Sequence, residues 1–332
     1  MDPISQAILG TTISQRISKQ KQIIIASIIG TLSAMSPDLD IFIRSSEDPL
    51  LFLEYHRQFT HSLLFIPFGG LICGCFFYYT FTKNYYLTFK ETYLYCTAGY
   101  ATHGILDSFT SYGTQLLWPF TNYRSSLDLI SIIDPIFTIP IIILCLFGVI
   151  KKDKKYSLLA ISWIVVYLTI SYIQQYRAEI IIRDIAEKRN HIIKNIVAKP
   201  SFANIIVWKV IYTTNSHFHV DAIKLGIVPK IYEGESVKKI NMDTDFQWLD
   251  KDSQQYKDIQ RFNWFSSGYI GLSKVNENII YDIRFSSIPY QMEGLWGIKL
   301  SRTKKKYEHV EYITNRKSSS KRYNKLINMI LD

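Results

Sequence analysis

Residues 22–42 read Gln22-Ile23-Ile24-Ile25-Ala26-Ser27-Ile28-Ile29-Gly30-Thr31-Leu32-Ser33-Ala34-Met35-Ser36-Pro37-Asp38-Leu39-Asp40-Ile41-Phe42. No charged side chain interrupts the run before Asp38, and a proline with two carboxylates then closes it. A helical bilayer crossing takes roughly 20 mostly apolar residues, about 17 at the lower end, so 22–37 reads as a span ending in a polar turn. The same test picks out 62–81, 92–109 and 157–174, and a fifth stretch, 134–150, that opens at Asp134-Pro135. A leading helix over 3–16 is thin for a full crossing but can pair with the first span as a hairpin.

These readings predict a mostly α membrane protein. A polytopic bundle of about five to six spans fills residues 1–176. An amphipathic connecting helix follows over 177–198, where Ile180, Ile181, Ile185, Ile192, Ile193 and Ile196 oppose Arg183, Lys188, Arg189 and Lys194. From 199 to 332, short alternating runs such as 204–212 and 279–285, separated by polar turns, predict a small β-rich domain outside the membrane.

Composition agrees with two unlike halves. The 332 residues are 48% hydrophobic, enough for a sizeable core, but apolar runs crowd the first half while Lys, Asp, Asn and Ser crowd the second. A net charge of +10 raises nucleic acid as a partner, yet no helix carries a basic stripe interleaved with stacking aromatics, so that class is set aside. The excess reads as residues flanking spans plus a basic stretch over 302–325. Cys73, Cys75, Cys96 and Cys145 all fall in apolar segments and read as small buried hydrophobes, with neither a disulfide framework nor a Cys-type zinc site. The acidic start Met1-Asp2-Pro3 lacks the basic region of a cleavable signal peptide.

Basic residues set the orientation. Arg16, Lys19 and Lys21 precede the first span, Lys83 and Lys90 join the second to the third, and Lys151, Lys152, Lys154 and Lys155 join the fourth to the fifth. An alternating path puts all three clusters on one side, the cytoplasm by the positive-inside rule. Asp38, Asp40, His56, His61, His103, Asp107, Asp128 and Asp134 then share the opposite side, with the C-terminal domain.

Ionisable residues at membrane depth are costly and usually pair, line a cavity or bind an ion. His103 and Asp107, four apart, share a helix face and can reach one metal, or can bond to each other. His56-Arg57-Gln58-Phe59-Thr60-His61-Ser62 brings two imidazoles to the mouth of the second span, either as ligands or as an interfacial anchor. Asp38 and Asp40 supply hard oxygen ligands, or a turn and cap. Arg124, Asp128 and Asp134 suit an anionic group held beside a metal, and a structural Arg–Asp pair explains them equally. The inference rests on convergence: three His and about five Asp at one depth, with no lysine among them. His217 and His219 share a strand face and read as surface or packing residues.

With those residues in place, the sequence resembles the bacterial membrane-bound, metal-dependent hydrolase family known as YdjM-like and LexA-regulated. The likeness is carried by Asp2-Pro3-x-x-x-Ala7-x-x-Gly10, Pro37-Asp38-x-Asp40, His56-Arg57-x-x-Thr60-His61-Ser62, His103-x-x-x-Asp107 and the Asp128 and Asp134 pair. It extends loosely to Trp208, Trp264-Phe265-Ser266 and Asp282-x-Arg284-Phe285. The family usually has His where this chain has Gln6, a poor metal ligand. The resemblance implies an inner-membrane protein and hydrolysis, with a distant likeness to zinc-dependent phospholipases.

The expected function is a metal-dependent hydrolase at the outer face of the membrane, acting on a lipid-like ester or phosphoester. His56, His61, His103 and Asp107, with Asp38 and Asp40, would hold one or two divalent ions: zinc first, manganese or iron as alternatives. Asp128 or Asp134 would act as general base, and Arg124 would bind the leaving or transferring group. The competing reading is a metal-binding or transport protein without chemistry.

Overall fold

The computed structural model describes residues 1–315 and 320–331, so part of the basic stretch 302–325 lies outside the described residues. The chain divides into two compact units. The first comprises Met1–Phe42, Tyr55–Ile173 and Phe202–Asn204; the second comprises Ile43–Glu54, Gln174–Ser201 and Ile205–Asp332. The boundary expected after residue 176 falls instead between Ile173 and Gln174, and residues 43–54 join the second unit.

The first unit is helical. Helices α1 (Pro3–Ile17) and α2 (Ile23–Met35) form the predicted hairpin, and a 3-10 segment, Ser36–Phe42, prolongs α2. After the short α3 (Leu51–Tyr55), helices α4 (Ile66–Thr80), α5 (Phe89–Ser108), α6 (Pro135–Lys151) and α7 (Lys155–Lys188) follow. Asp2 caps α1 through Ser5 N, a Thr88–Glu91 capping box starts α5, and Asp134 caps α6, so the sequence signals sit where the helices begin.

Among the described residues, three helical stretches are long and apolar enough to cross a membrane: Gln20–Phe42, Leu63–Thr80 and Lys155–Lys188. Pro135–Lys151 is apolar but shorter. Helix α5, expected as a span, instead buries Thr92, Tyr95, Cys96, Gly99, Tyr100, Thr102, His103 and Asp107 within the unit. Its Thr, Tyr, Gly and His content sets it below the apolar helices in hydropathy, while Leu94 and Ile105 remain exposed.

Packing in this unit inverts the soluble pattern. Ser5, Gln6, Thr11, Thr12, Ser14 and Gln15 of α1 are buried, while Ile24, Ile28, Leu32, Phe68, Ile72, Phe76, Ile139, Ile143, Val165 and Ile170 are exposed. Buried hydroxyls and amides join helices instead: Ser14 Oγ donates to the Tyr95 carbonyl at 2.9 Å and Gln15 Nε2 to the Cys145 carbonyl at 3.1 Å. Close backbone approach is the second adhesive. A Cβ on Gly30 would overlap Ser14 Oγ, and one on Gly99 would overlap the Gly30 carbonyl, so α1, α2 and α5 meet at small residues as membrane helices do.

The basic connections gather at one end of this unit. Lys19 Nζ is 2.7 Å from Glu91 Oε1, and Lys154 Nζ donates to the Ser18 carbonyl at 2.6 Å. Glu91 and Asp107 lie at opposite ends of α5, separated by roughly 24 Å at the helical rise.

The second unit holds two antiparallel sheets. Strands β1 (Asn195–Pro200), β2 (Val207–Thr213), β3 (His217–Lys224) and β4 (Lys230–Tyr232) lie in that order, and β5 (Ser236–Lys238) pairs with β3. After α8 (Met242–Asp245) and α9 (Gln254–Phe265), strands β6 (Ile270–Leu272), β7 (Ile279–Asp282), β8 (Trp296–Lys299) and β9 (Glu311–Thr314) form the second sheet in sequence order, and α10 (Ser320–Leu331) follows. Ile211, Phe218, Val220, Tyr269, Ile283 and Met292 share one core cluster. The alternating runs thus predict the β-rich half correctly. The connecting helix over 177–198 is corrected: α7 continues unbroken to Lys188, Asn190 adopts a left-handed φ of 57°, and 195–198 is already strand. Asn tolerates that conformation and ends the helix, releasing the β-branched run beyond it to pair with β2.

Candidate metal centre

Three stretches distant in sequence build the site. The 3-10 segment after α2 carries Asp38 and Asp40, the chain around a second 3-10 turn (Phe59–His61) carries His56, Arg57 and His61, and the C-terminal part of α5 carries His103 and Asp107. Gly104 permits the approach, since a Cβ there would run into the His61 carbonyl. Tyr100 fastens the turn by donating to the Thr60 carbonyl at 2.8 Å.

Two groups of side chains converge. Ligand atoms of Asp38, His61 and His103 all lie within 4.8 Å of one another, as do those of Asp38, Asp40 and His56. Asp38 belongs to both. His103 Nδ1 is 2.5 Å from the Ala34 carbonyl and donates to it, so in the neutral ring Nε2, 3.2 Å from Asp38 Oδ1, is the nitrogen able to bind a cation. His61 Nδ1 has Thr60 Oγ1 at 2.9 Å and Asp40 Oδ2 at 3.3 Å, so its Nε2 likewise turns inward, 3.5 Å from Asp38 Oδ1. His56 Nδ1 meets Asp40 Oδ1 at 2.7 Å, and Asp40 Oδ2 accepts from Thr60 Oγ1 at 2.8 Å and Arg57 N at 3.1 Å.

Asp107 closes one side. Its Oδ2 lies 3.5 Å from His61 Nε2 and 3.9 Å from His103 Nε2, while Oδ1 accepts from Gln6 Nε2 at 2.9 Å and from the α-amino group of Met1. Gln6 also donates to the His103 carbonyl at 3.3 Å, so it positions two candidate ligands from behind. That is how a poor ligand fits a place the resemblance gives to His.

A divalent cation fits these residues. His61 Nε2 and Asp107 Oδ2 are buried and take part in no aligned hydrogen bond, although such atoms are normally satisfied. Imidazole nitrogens and carboxylate oxygens gathered at one point suit zinc, manganese or iron.

Neither ligand group includes Asp128 or Asp134. Asp134 accepts from Phe137 N at 3.2 Å and from the Tyr167 hydroxyl at 2.7 Å, which makes it a helix cap with a buried partner. Arg124 donates to the Gly113 carbonyl at 2.8 Å, and Asp128 occupies a left-handed turn with φ 56°. A basic side chain that does meet the site is that of Arg57, whose Nε lies 3.0 Å from Asp107 Oδ2 and whose Nη1 donates to Thr110 Oγ1 at 3.3 Å. Its signal was a lone Arg beside His56 in a polar string, a position assigned no role from sequence.

An uncharacterized protein of Bacillus subtilis strain 168, YfhP, is 25% identical over 197 residues, which cover 59% of this chain and 58% of that protein. The chain thus spans under two thirds of the relative it matches. No solved structure matches. The model of the YdjM inner membrane protein family matches residues 1–178, more than half of the chain and all of the site just described, and the chain belongs to that family.

Proposed function

We propose that this protein is a membrane-embedded, metal-dependent hydrolase that acts on an ester or phosphoester group, with its site at the outer face of the inner membrane. The observation that carries the reading is the doubled ligand group sharing Asp38, with Nε2 of His61 and His103 both freed by bonds at Nδ1. Asp38, His61 and His103 would hold one ion, with Asp107 as a further oxygen ligand; Asp38, Asp40 and His56 would hold a second. Such an ion supplies Lewis-acid polarisation of the substrate oxygen and water activation near neutral pH.

This chain's own groups supply the rest. Arg57 sets a guanidinium against Asp107 and would meet an anionic substrate oxygen. Where His56 is not a ligand, its Nδ1 bond to Asp40 orients it to take a proton at Nε2. The outer-face assignment is supported by the basic connections, which cluster at the end of α5 remote from His103 and Asp107.

Full-length protein in detergent should carry near-stoichiometric zinc or manganese, and a His61→Ala variant should lose it. Unchanged metal content in that variant overturns the reading. Metal-loaded protein is then assayed on generic phosphoester and carboxylester substrates. Hydrolysis of either supports the enzyme; inactivity on both overturns it and leaves a protein that binds or carries the ion.

A further inference from the structure

The chain leaves the helical unit after Phe42 and rejoins it at Tyr55, and residues 43–54 pack in the second unit. That excursion separates Asp40 from His56, two of the candidate ligands. It is firmly held. Leu50 and Leu53 are buried, and Phe52 meets Tyr312 edge to face at 5.3 Å. Above all, Arg261 of α9 grips both acids of the segment: Nη1 and Nη2 reach Asp48 at 3.0 and 2.7 Å, and Nε reaches Glu54 at 2.5 Å. Asp258, whose side chain is fully buried, accepts from Nη1 of the same arginine at 2.9 Å and from Val310 N at 3.0 Å, while His309 Nδ1 lies 2.9 Å away.

We propose that Arg261 is a positioning residue for the candidate metal centre, acting through the Asp48–Glu54 segment on His56 and, through His56, on Asp40. The inference rests on the metal reading above. Chain length decides where the tether acts. Two residue steps lead from Glu54 to His56, a reach of at most roughly 7 Å, whereas the eight steps from Asp40 to Asp48 can span roughly 28 Å and leave slack. Fixing Glu54 therefore restricts His56 directly. Asp40 is restricted next, because its Oδ1 meets His56 Nδ1. Side chains already held near their bound geometry lose less freedom when an ion arrives, so the ion binds more tightly. Linkage makes the effect reciprocal: an ion on His56 and Asp40 must also steady the 43–54 segment.

The test is zinc titration of the full-length protein in detergent, with hydrogen exchange over residues 43–57 read with and without zinc. Arg261→Gln should weaken zinc binding at least fivefold and abolish zinc-dependent protection of the segment. Arg261→Lys, keeping charge but not the fork, should fall between. Glu54→Gln, which removes one contact and leaves Asp48 and Asp258 on the arginine, supplies the same comparison should Arg261→Gln fail to fold. Zinc affinity within twofold of the parent in these variants, or exchange over 43–57 indifferent to zinc, overturns the inference while the metal reading stands. No zinc binding by the unsubstituted protein overturns both.

Discussion

Arg57 lies with its Nε 3.0 Å from Asp107 Oδ2, and it does so from a left-handed backbone, φ 67°. Both side chains are almost wholly enclosed, at 8% and 0% exposure, so neither charge is answered by solvent. A bulky residue rarely holds positive φ unless its surroundings fix it there, and here Arg57 N donates to Asp40 while its carbonyl accepts from Gln115 N at 2.9 Å.

That backbone gives a test unusual in sign. Arg57→Ala and Arg57→Gly both lose the ion pair, but only glycine takes a left-handed conformation freely. The glycine variant should be the more stable of the two by about 1 kcal/mol, read as thermal unfolding in detergent. The reverse order would show that the backbone relaxes out of that conformation.

Asp134 and His61 should separate cleanly. Asp134→Ala removes the cap of α6 and the partner of the Tyr167 hydroxyl, and should lower stability by about 1–2 kcal/mol while metal content stays at the parental level. His61→Ala should do the opposite, losing metal with the fold retained. Metal analysis and thermal unfolding on the same samples check both, and loss of metal from Asp134→Ala would return that residue to the site.

Helix approach at glycine should tolerate no methyl group. Gly99→Ala pushes against the Gly30 carbonyl, a backbone atom that cannot rotate away, so α2 and α5 must separate. A loss of about 1–3 kcal/mol is expected. Gly226→Ala, where the nearest atom is the Val228 carbonyl at 3.5 Å, should be near neutral, and a comparable loss there would refute the packing argument.

The second unit should have its own pH signature. Lys209 of β2 is only 3% exposed and lies directly across from Lys199 of β1, itself buried. Burial pushes the Lys209 amine down to about 7, against the pull of Asp282 and Glu235. Its Nζ donates to Ser286 Oγ at 2.8 Å and the Gln291 carbonyl at 2.7 Å. Because the unfolded chain holds this proton up to the ordinary lysine value, 10.5, and the folded one gives it up near 7, stability rises with pH across that window. The slope from this group approaches about 1.4 kcal/mol per pH unit and flattens below pH 7, where both states are protonated. Urea unfolding of parent and Lys209→Met from pH 7 to 10 should show the parent gaining stability relative to the variant as pH climbs. A difference constant with pH would mean that the amine stays charged in the fold.

Much of this was legible beforehand, for reasons residue by residue. The apolar run after Gln22 became a helix, and the β-branched and aromatic run Val207–Thr213 became a strand buried along its whole length. Asp38, Asp40, His56, His61 and His103 were found because charge is costly beside apolar spans, a local signal. Asp134 gives the same signal and caps α6, since burial alone cannot tell a ligand from a cap. Arg57 was hidden for the opposite reason: its role depends on Asp107, fifty residues away and visible only in three dimensions. Helix α5 has the length of a span, while its small and polar residues suit packing against other helices. Nothing in the sequence around Asp48 and Glu54 announces that they answer to Arg261.

The inverted interior of the helical unit bears on how the molecule melts. Where apolar side chains face outward and hydroxyls face in, unfolding within a lipid or detergent phase uncovers little hydrocarbon to water, and the accompanying change in heat capacity is small. The β-rich unit, with Trp208 and Trp296 enclosed, must show the large positive step of a soluble domain. Calorimetry of a single chain should therefore record two endotherms whose baselines step by unlike amounts, and cold should loosen the β-rich half long before it touches the helices.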